Sequence, residues 1–509
     1  MKQFILLVVP ILFSACKNEA PSAEATSHLG ELHESFVVSE QAKADFERGL
    51  LLLHNFEYDD AREAFLRAQE KDSLAIMAYW GEAMSFNHPL WRQQEFEEGQ
   101  AALEKIAPLD LSAIAPLEAD FIKGTQILFG EGDKDARDQA YSQHMKEMYA
   151  NYPENEEVAA FYALSILGAV PVGRDTKAYE AGAEVAKALL ARNPNHPGGL
   201  HYLIHSYDDP VHAQLALNAA SSYSKVAADA VHALHMPSHI FLAVGMWKEV
   251  VSSNIASFEA SIHRKEEKQL DNDALSYHAL NWLQYGYLQL GKFDEAAQIM
   301  NDMMSYCDTL PSKSARSYGI AMKGAYLLET GNWDHPVGNY QFDMEGLGIT
   351  ARAKVQFIAG MQAFRSGYAE VLADSRQVLE EDIKKSALLV NESGLPMCSS
   401  GSANYNINQL DLDQSTVMAY QLRALEAQLA NNPEKAEEWM LKAVEYESGL
   451  GYGYGPPVIL KPSTEMFAEW LMANKRISEA KTYFEKTLER APNRLIAVVG
   501  VEKCAQVNL

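Results

Sequence analysis

A short pattern of small and large residues recurs along this 509-residue chain and limits its fold more than any other feature. One copy places Ala61 and Phe65 four residues apart behind an apolar run, and another places Ala296 and Met300 in the same way. Residues at this spacing share one helix face, so the small side chain admits a neighbouring helix while the large one fills the groove beside it. Because one helix pair cannot bury its faces alone, the pattern predicts an all-α array of about ten stacked antiparallel pairs.

Further copies of the pattern extend the array over most of residues 40–500. Clear copies lie at Gly245/Trp247/Val250, Pro433/Ala436/Met440/Ala443 and Ile477/Ala480/Phe484/Pro492, and degenerate copies centre on Gly99, Ala183, Ala216, Trp333 and Tyr368. The pattern resembles the tetratricopeptide repeat (TPR). That resemblance implies a tetratricopeptide-like helix-turn-helix solenoid, wound as a right-handed superhelix with a concave inner face, and it implies almost nothing about function.

Two stretches interrupt the repeats. The first, 391–410, is rich in Ser, Gly and Asn, which predicts an irregular crossing between a central array over 36–390 and C-terminal repeats over 411–509. The second, 451–462, alternates Gly with Tyr before a proline pair that a helix interior excludes. We expect this loop either to fold over the groove or to lie plainly on the surface.

The N-terminal residues have the composition of a sorting signal. A basic start is followed by a ten-residue apolar run, Phe4 to Phe13, and by small residues that end in Cys16. This resembles a bacterial lipoprotein signal peptide (1–16) with its lipobox, followed by a polar, flexible tether (17–35), although Phe13 stands where leucine is usual. The resemblance implies a lipid on Cys16 and anchoring in the bacterial cell envelope, facing the outer membrane or periplasm. An ordinary secretory signal is the alternative.

Charge and missing motifs argue against several classes of function. The 69 acidic and 43 basic residues give a formal charge of −26, which repels phosphate backbones, so we expect no nucleic-acid partner. The sequence contains no GxSxG elbow, no GxxxxGKS/T phosphate loop and no HExxH motif. Cys307, Cys398 and Cys504 lack metal-finger spacing and predict no disulfide framework.

Histidine is concentrated in one segment, where seven of the chain's 15 histidines fall between His196 and His239. Histidine is the side chain best suited to bind a borderline metal ion or to exchange protons near neutral pH. The TPR resemblance implies that groove-facing side chains lie fifteen and eleven residues before the small residue of each second helix. His201 and His205 stand at these intervals before Ala216.

The same intervals recur in the next repeat, where His235 and His239 precede Val250. Two imidazoles at i and i+4 share a helix face and can chelate one ion. We therefore predict a groove site for a divalent metal, zinc or copper. Its predicted ligands are His201, His205, His235, His239 and His278, the last at another inward position by the same resemblance.

Further residues are accessory candidates for this site because of their type and position. They are His54, His88, His212, His232, Asp208, Asp209, Asp229, Asn281 and Tyr285. Asp209 precedes Pro210 and is equally explained as a helix cap. Pro237 predicts a kink near His235. The other histidines are expected to be core or surface residues, namely His28, His33, His144, His196, His263 and His335.

Three functional hypotheses follow from these observations. The first is a membrane-anchored, extracytoplasmic TPR protein with a metal-binding histidine site, and its enzymatic version is a hydrolase that activates a metal-bound water. The second is an interaction scaffold that binds a protein or peptide without metal. The third resembles the SusD group of nutrient-binding lipoproteins. The phrases AYWGEAMSFNHPLW and HALHMPSHIF also resemble a histidine-rich variety of TPR lipoproteins, a resemblance that implies no particular activity.

Overall fold

The computed structural model describes residues 28–33, 36–109, 111, 114–390 and 407–507. The predicted signal peptide with Cys16, residues 17–27, 34 and 35 of the tether, and residues 391–406 of the irregular crossing, which include Cys398, lie outside the described residues. The described chain is almost entirely helical, and successive helices pair along it, so the predicted all-α TPR-like solenoid is confirmed.

The first part of the array contains ten α-helices and one short hairpin. The helices are α1 (Glu40–His54), α2 (Tyr58–Lys71), α3 (Ile76–Met84), α4 (Phe96–Glu104), α5 (Pro116–Leu128), α6 (Lys134–Asn151), α7 (Glu156–Gly168), α8 (Thr176–Leu190), α9 (Pro197–Ser206) and α10 (Leu217–Val226). The antiparallel strands β1 (Asn87–His88) and β2 (Gln93–Gln94) join α3 to α4. A 3-10 turn, Ala213–Ala216, precedes α10.

The remaining helices continue the array to the C-terminus. They are α11 (Val231–His235), α12 (Pro237–Ala243), α13 (Trp247–Lys268), α14 (Tyr277–Gln289), α15 (Phe293–Thr309), α16 (Lys313–Thr330), α17 (Ile349–Ser366), α18 (Ala369–Ala387), α19 (Gln409–Leu429), α20 (Pro433–Ser448), α21 (Ser463–Ala473), α22 (Ile477–Arg490) and α23 (Leu495–Val507). Short 3-10 turns lie at Asn272–Ala274 and Pro336–Asn339. Within the described residues, no helix has the length and apolar character needed to cross a bilayer.

The small and large residues of the repeat pack as their spacing predicts. Ala61, Ala296 and Ala480 are fully buried where paired helices approach. The ring of Phe65 lies so close to two glycines of neighbouring helices that a Cβ at Gly81 would come within 2.4 Å of it. The close approach of paired helices therefore depends on the small side chains.

One predicted repeat is wrong. The degenerate copy at Trp333 has no second α-helix, since residues 331–348 hold only the 3-10 turn Pro336–Asn339. Gly331 ends α16 in the left-handed conformation, with φ of 66°. The ammonium group of Lys323 then donates to the carbonyls of Gly338 and Tyr340, which holds the segment as an extended strap. A proline in the turn further opposes helix formation.

The first helix pair returns to the middle of the array. Helix α1 packs against α9, and Asp60 of α2 forms an ion pair with Arg264 of α13. The backbone N–H of Glu31 donates to the carbonyl of Asn195 at 3.1 Å. The array therefore curls tightly enough to bring its first pair beside its fifth and sixth.

The C-terminal pairs contact the middle of the array through a buried arginine. Arg494, which has no exposed surface, donates to Glu465 at 2.7 Å, to Glu329 at 2.6 Å and to the hydroxyl of Tyr285 at 2.5 Å. Burial alone would raise the pKa of Glu465, but Arg494 and Lys461 hold it at about 2. This network joins α14, α16 and α21 to the turn before α23.

We predict that Arg494→Met lowers the free energy of unfolding by about 3–5 kcal/mol, because it leaves the buried Glu329 without its cation and Glu465 with Lys461 alone. Denaturant titration followed by circular dichroism measures the change. Arg476→Met is the matched control, since Arg476 pairs with Glu437 and Glu479 at a solvated surface and its loss should matter little. Equal effects of the two substitutions would contradict the assigned role of Arg494.

Candidate metal centre

Six histidine side chains from the four helices α9, α11, α12 and α14 meet in one place. They form two groups, in each of which one ring nitrogen per residue lies within 4.8 Å of the others. The first triad is His201 and His205 of α9 with His232 of α11. The second triad is His235 of α11, His239 of α12 and His278 of α14.

Short nitrogen-to-nitrogen distances define both triads. In the first, Nε2 of His201 lies 3.1 Å from Nε2 of His205 and 3.2 Å from Nε2 of His232. In the second, Nε2 of His235 lies 3.0 Å from Nε2 of His239. The ring of His278 completes the second triad with its centroid 4.5 Å from that of His235. All five histidines predicted as ligands are thus brought together, and His232, predicted only as accessory, joins them.

The Nδ1 atoms face outward onto hydrogen-bond acceptors. Nδ1 of His201 donates to the carbonyl oxygen of His54 at 2.7 Å, and Nδ1 of His239 donates to the carboxylate of Asp208 at 2.5 Å. Nδ1 of His235 lies 2.6 Å from the side-chain oxygen of Asn254. The amide nitrogen of Asn254 donates to the carbonyl of Val250, so its oxygen must face the histidine.

These acceptors determine where the ring protons lie. A carbonyl or carboxylate cannot donate, so His201, His235 and His239 each carry their proton on Nδ1. A neutral ring of this tautomer has a lone pair and no hydrogen on Nε2. When both rings are neutral, two such lone pairs face each other across 3.0 Å in the second triad, between His235 and His239.

Burial and mutual repulsion keep five of the six rings uncharged. The pKa values of His201, His205, His232 and His235 lie well below the usual range, first because burial disfavours the imidazolium and then because neighbouring histidines repel a second charge. For the same reasons the pKa of His278 falls to about 3. Neutral imidazole is the form that binds metal ions.

The two triads lie side by side in one cluster. The ring centroids of His205 and His239 are 5.7 Å apart, and those of His232 and His235 are 6.1 Å apart. The longest centroid distances inside the triads are 6.4 Å and 6.2 Å. Since the contacts between triads are no longer than those within them, the six rings form one continuous cluster.

Aromatic side chains pack against both sides of this histidine cluster. Phe56 lies against His201, with centroids 4.3 Å apart, and stacks on His232 at 5.5 Å. It does so with a left-handed backbone, φ 58°, which is costly for a residue with a large side chain. On the other side Trp282 packs against His239 at 4.5 Å and His235 at 4.9 Å.

The loop 451–462 lies over the second triad. Gly455 adopts φ of 81° directly against the indole of Trp282, where a Cβ would come within 2.4 Å. The Tyr454 hydroxyl lies 3.2 Å from that of Tyr179, and its ring centroid lies 6.5 Å from that of His239. Of the two placements considered for this loop, the structure has the one over the groove. His205, His232 and His278 remain half-buried.

Of the accessory candidates, His232 belongs to the first triad, Asp208 and His54 support the cluster, and the others belong to neither triad. Asp208 accepts from His239 as described. Asp209 caps the turn that follows it by accepting from the N–H of His212, bonds the ring of His212 and pairs with Arg174 at 2.9 Å. Asp209 therefore closes the turn before the 3-10 helix, whose own N-cap is His212, and neither Asp209 nor His212 belongs to a triad.

Three further candidates are placed away from the triads. Asp229 accepts from the backbone N–H of His28 on the surface, and Tyr285 faces Arg494. His88 stacks on Tyr58 with centroids 4.0 Å apart and donates from Nε2 to the carbonyl of Ser85. Asn281 follows His278 and precedes Trp282 in the sequence of α14, and its side chain is nearly buried.

A third group of side chains was not predicted and forms a hydrogen-bonded network. Glu157 of α7 accepts from His54 at 2.8 Å and from His196 at 3.4 Å, and burial notwithstanding the two rings lower its pKa to about 2. His196 was expected to be a simple core residue, and only the glutamate within the apolar sequence EEVAAFYALSILG could have indicated a buried partner.

This network is complete without an ion. The carboxylate receives a ring N–H from both histidines, Nδ1 of His196 accepts from the N–H of Gly199, and Nδ1 of His54 bonds the hydroxyl of Tyr202 at 2.8 Å. The network holds His54 in place, and the backbone carbonyl of His54 accepts the hydrogen bond from Nδ1 of His201. His54 is therefore a supporting residue of the first triad.

Comparisons with known proteins add the following. No family model matches the sequence, and no curated protein matches it. Among solved structures, the TPR domain of P58(IPK) is 14% identical, with 92% of this chain and 98% of that chain covered at a TM-score of 0.23. The human IFIT1 dimer with m7Gppp-AAAA is 11% identical over 93% and 96% of the chains at 0.37, and yeast Tom70 is 10% identical over 92% and 90% at 0.32. At these values the TPR-like architecture rests on the helix pairs themselves.

Proposed function

We propose that this TPR-like protein binds two metal ions, zinc or copper, side by side in its six-histidine cluster. The observation that carries the proposal is the pair of facing Nε2 atoms of His235 and His239, 3.0 Å apart, on rings whose Nδ1 atoms both meet acceptors. Two lone pairs at this distance repel each other unless a proton or a metal ion lies between them. A metal ion supplies that charge in a place where burial disfavours a proton.

The spacing of the nitrogens supports the same conclusion. Tetrahedral binding by imidazoles at about 2.0–2.1 Å separates neighbouring ligand atoms by about 3.3 Å. The distances of 3.0, 3.1 and 3.2 Å within the triads require little movement to reach that value. Three histidines per ion also leave a fourth position for water or a substrate.

The outward bonds to Asp208, Asn254 and the His54 carbonyl further support metal binding. Histidine ligands of metals usually donate their second N–H to such acceptors, which orient the ring and raise its basicity. In an interaction scaffold whose histidines only hydrogen-bond, the facing pair His235 and His239 requires a second proton on one buried ring, whereas a metal ion requires none. The metal hypothesis is therefore favoured over the scaffold and over a metal-free nutrient-binding role.

We also propose that the protein is held in the bacterial cell envelope by a lipid on Cys16. The apolar run Phe4 to Phe13 and the small residues before Cys16 support this proposal. A metal site on an anchored solenoid would then lie outside the cytoplasm.

We predict that protein purified without a histidine tag and reconstituted with zinc or copper retains two ions per chain after gel filtration. His235→Ala should remove one ion, His201→Ala the other, and the double variant both, because each substitution deletes the residue on which its triad converges. Elemental analysis counts the ions. His263→Ala, an exposed histidine of α13, is the matched control and should retain both. A wild-type chain that retains no ion would refute the proposal.

Asp208→Asn should weaken the ion of the second triad by about 10–100-fold and leave the first unchanged, because the amide cannot raise the basicity of His239 as a carboxylate does. Competition against chelators of graded affinity measures both constants. Asp229→Asn, which alters a carboxylate bonded only to the surface backbone of His28, serves as the control. If both variants behave alike, Asp208 has no special role.

Cys16→Ser should shift the protein from the membrane fraction to the soluble envelope fraction, because the lipid would have no thiol to join. Mass spectrometry of the N-terminal peptide tests for the lipid directly. Cys504→Ser is the control, since that cysteine is buried at the C-terminus. An unmodified N-terminal peptide in the wild type would exclude the anchor.

A further inference from the structure

We infer that the two triads hold copper as a pair and bind dioxygen between the two ions. This inference rests on the proposed function and specifies its metal and its ligand. It is carried by three features of the cluster: its ligand set, its charge and the distance between its triads.

The ligand set consists of neutral nitrogen donors. Each triad offers three imidazoles, and imidazole suits copper in both of its common oxidation states. Three nitrogen donors satisfy copper(I) and leave the ion open to a further ligand. Within the described residues, no carboxylate converges on either triad to bridge two zinc ions.

The local charge favours ions of low charge. Among the six rings, in the part of the chain that the structure describes, only that of His239 is bonded to a carboxylate, Asp208. Arg174, which donates to the backbone carbonyl of His205 at 3.5 Å, brings no net negative charge because Asp209 only balances it. Two divalent ions would place four positive charges in this half-buried site, and two copper(I) ions would place two. Since buried charge without compensation is costly, the resting site fits copper(I) better.

The distance between the triads allows one small molecule to contact both ions. The centroid contacts between triads, 5.7 Å for His205 with His239 and 6.1 Å for His232 with His235, match those within each triad. The two triads are therefore in direct contact, and ions held by them would lie close together. Phe56 and Trp282 form apolar walls that suit an uncharged gas molecule.

The electron balance of the binding step is complete without another reactant. Each copper(I) gives one electron, and dioxygen accepts both to become peroxide. Two copper–oxygen bonds form to the peroxide, the O–O double bond becomes a single bond, and no proton moves. The product is two copper(II) ions bridged by peroxide, whose negative charges offset the increase on the metals. Bound dioxygen is thus stabilised by the same charge argument that favours copper.

The test begins with wild-type protein loaded anaerobically with two equivalents of copper(I) and titrated with dioxygen. We expect uptake of one dioxygen per two copper ions and a near-ultraviolet peroxide-to-copper absorption band. No electron paramagnetic resonance signal of copper(II) should appear, because the bridged ions pair their spins. His278→Ala and His232→Ala each weaken one triad, so neither variant should show the band. After oxidation each should show the resonance of an isolated copper(II).

His263→Ala is the control and should behave as the wild type. A wild type that holds two copper ions but shows two independent copper(II) resonances, or takes up no dioxygen, would overturn this inference and leave the metal-binding proposal standing. Retention of two zinc ions without retention of copper(I) would likewise overturn this inference and leave the metal-binding proposal standing. Failure to retain either metal would instead overturn the proposed function itself.

Discussion

The cluster depends on the return of the first helix pair to the middle of the array. The Glu157 carboxylate joins α1 to α7 and α9 by accepting from His54 and His196. Glu57, at the start of α2, accepts from the backbone N–H of His232 and so fixes the first turn of α11. If the pair moved away, the first triad would lose the His54 carbonyl, which places the proton of His201, and also the support of α11. Curvature of the solenoid is therefore a requirement of the site as well as a property of the fold.

The protein treats its two buried histidine groups in opposite ways. Around Glu157 the carboxylate accepts a hydrogen bond from each ring, so the group is balanced by hydrogen bonds alone. In the triads the protons point outward to Asp208, Asn254 and a carbonyl, and the unprotonated nitrogens point inward. The difference lies in which side of the ring meets an acceptor. Identical side chains a few ångströms apart thus serve as structural hydrogen-bond donors in one place and as potential metal ligands in the other.

Much of this arrangement follows from local spacing, and the rest depends on contacts that no local pattern contains. The i,i+4 pairs predicted the grouping of His201 and His239 with their partners, because a helix turn fixes it. His232 was predicted only as an accessory residue, although it lies three residues before His235 on α11 and contacts His201. The network at Glu157 was missed because it joins helices about a hundred residues apart. The false repeat at Trp333 shows the converse, where Lys323 holds a segment of suitable sequence out of the helical conformation.

The interruption of the helix before Pro237 affects how the two triads can move. Helix α11 is only five residues long, yet it carries His232 of one triad and His235 of the other. A rotation or shift of this helix moves one donor in each triad at once, while α9, α12 and α14 carry the remaining donors. Any movement of α11 therefore changes the geometry of both sites together.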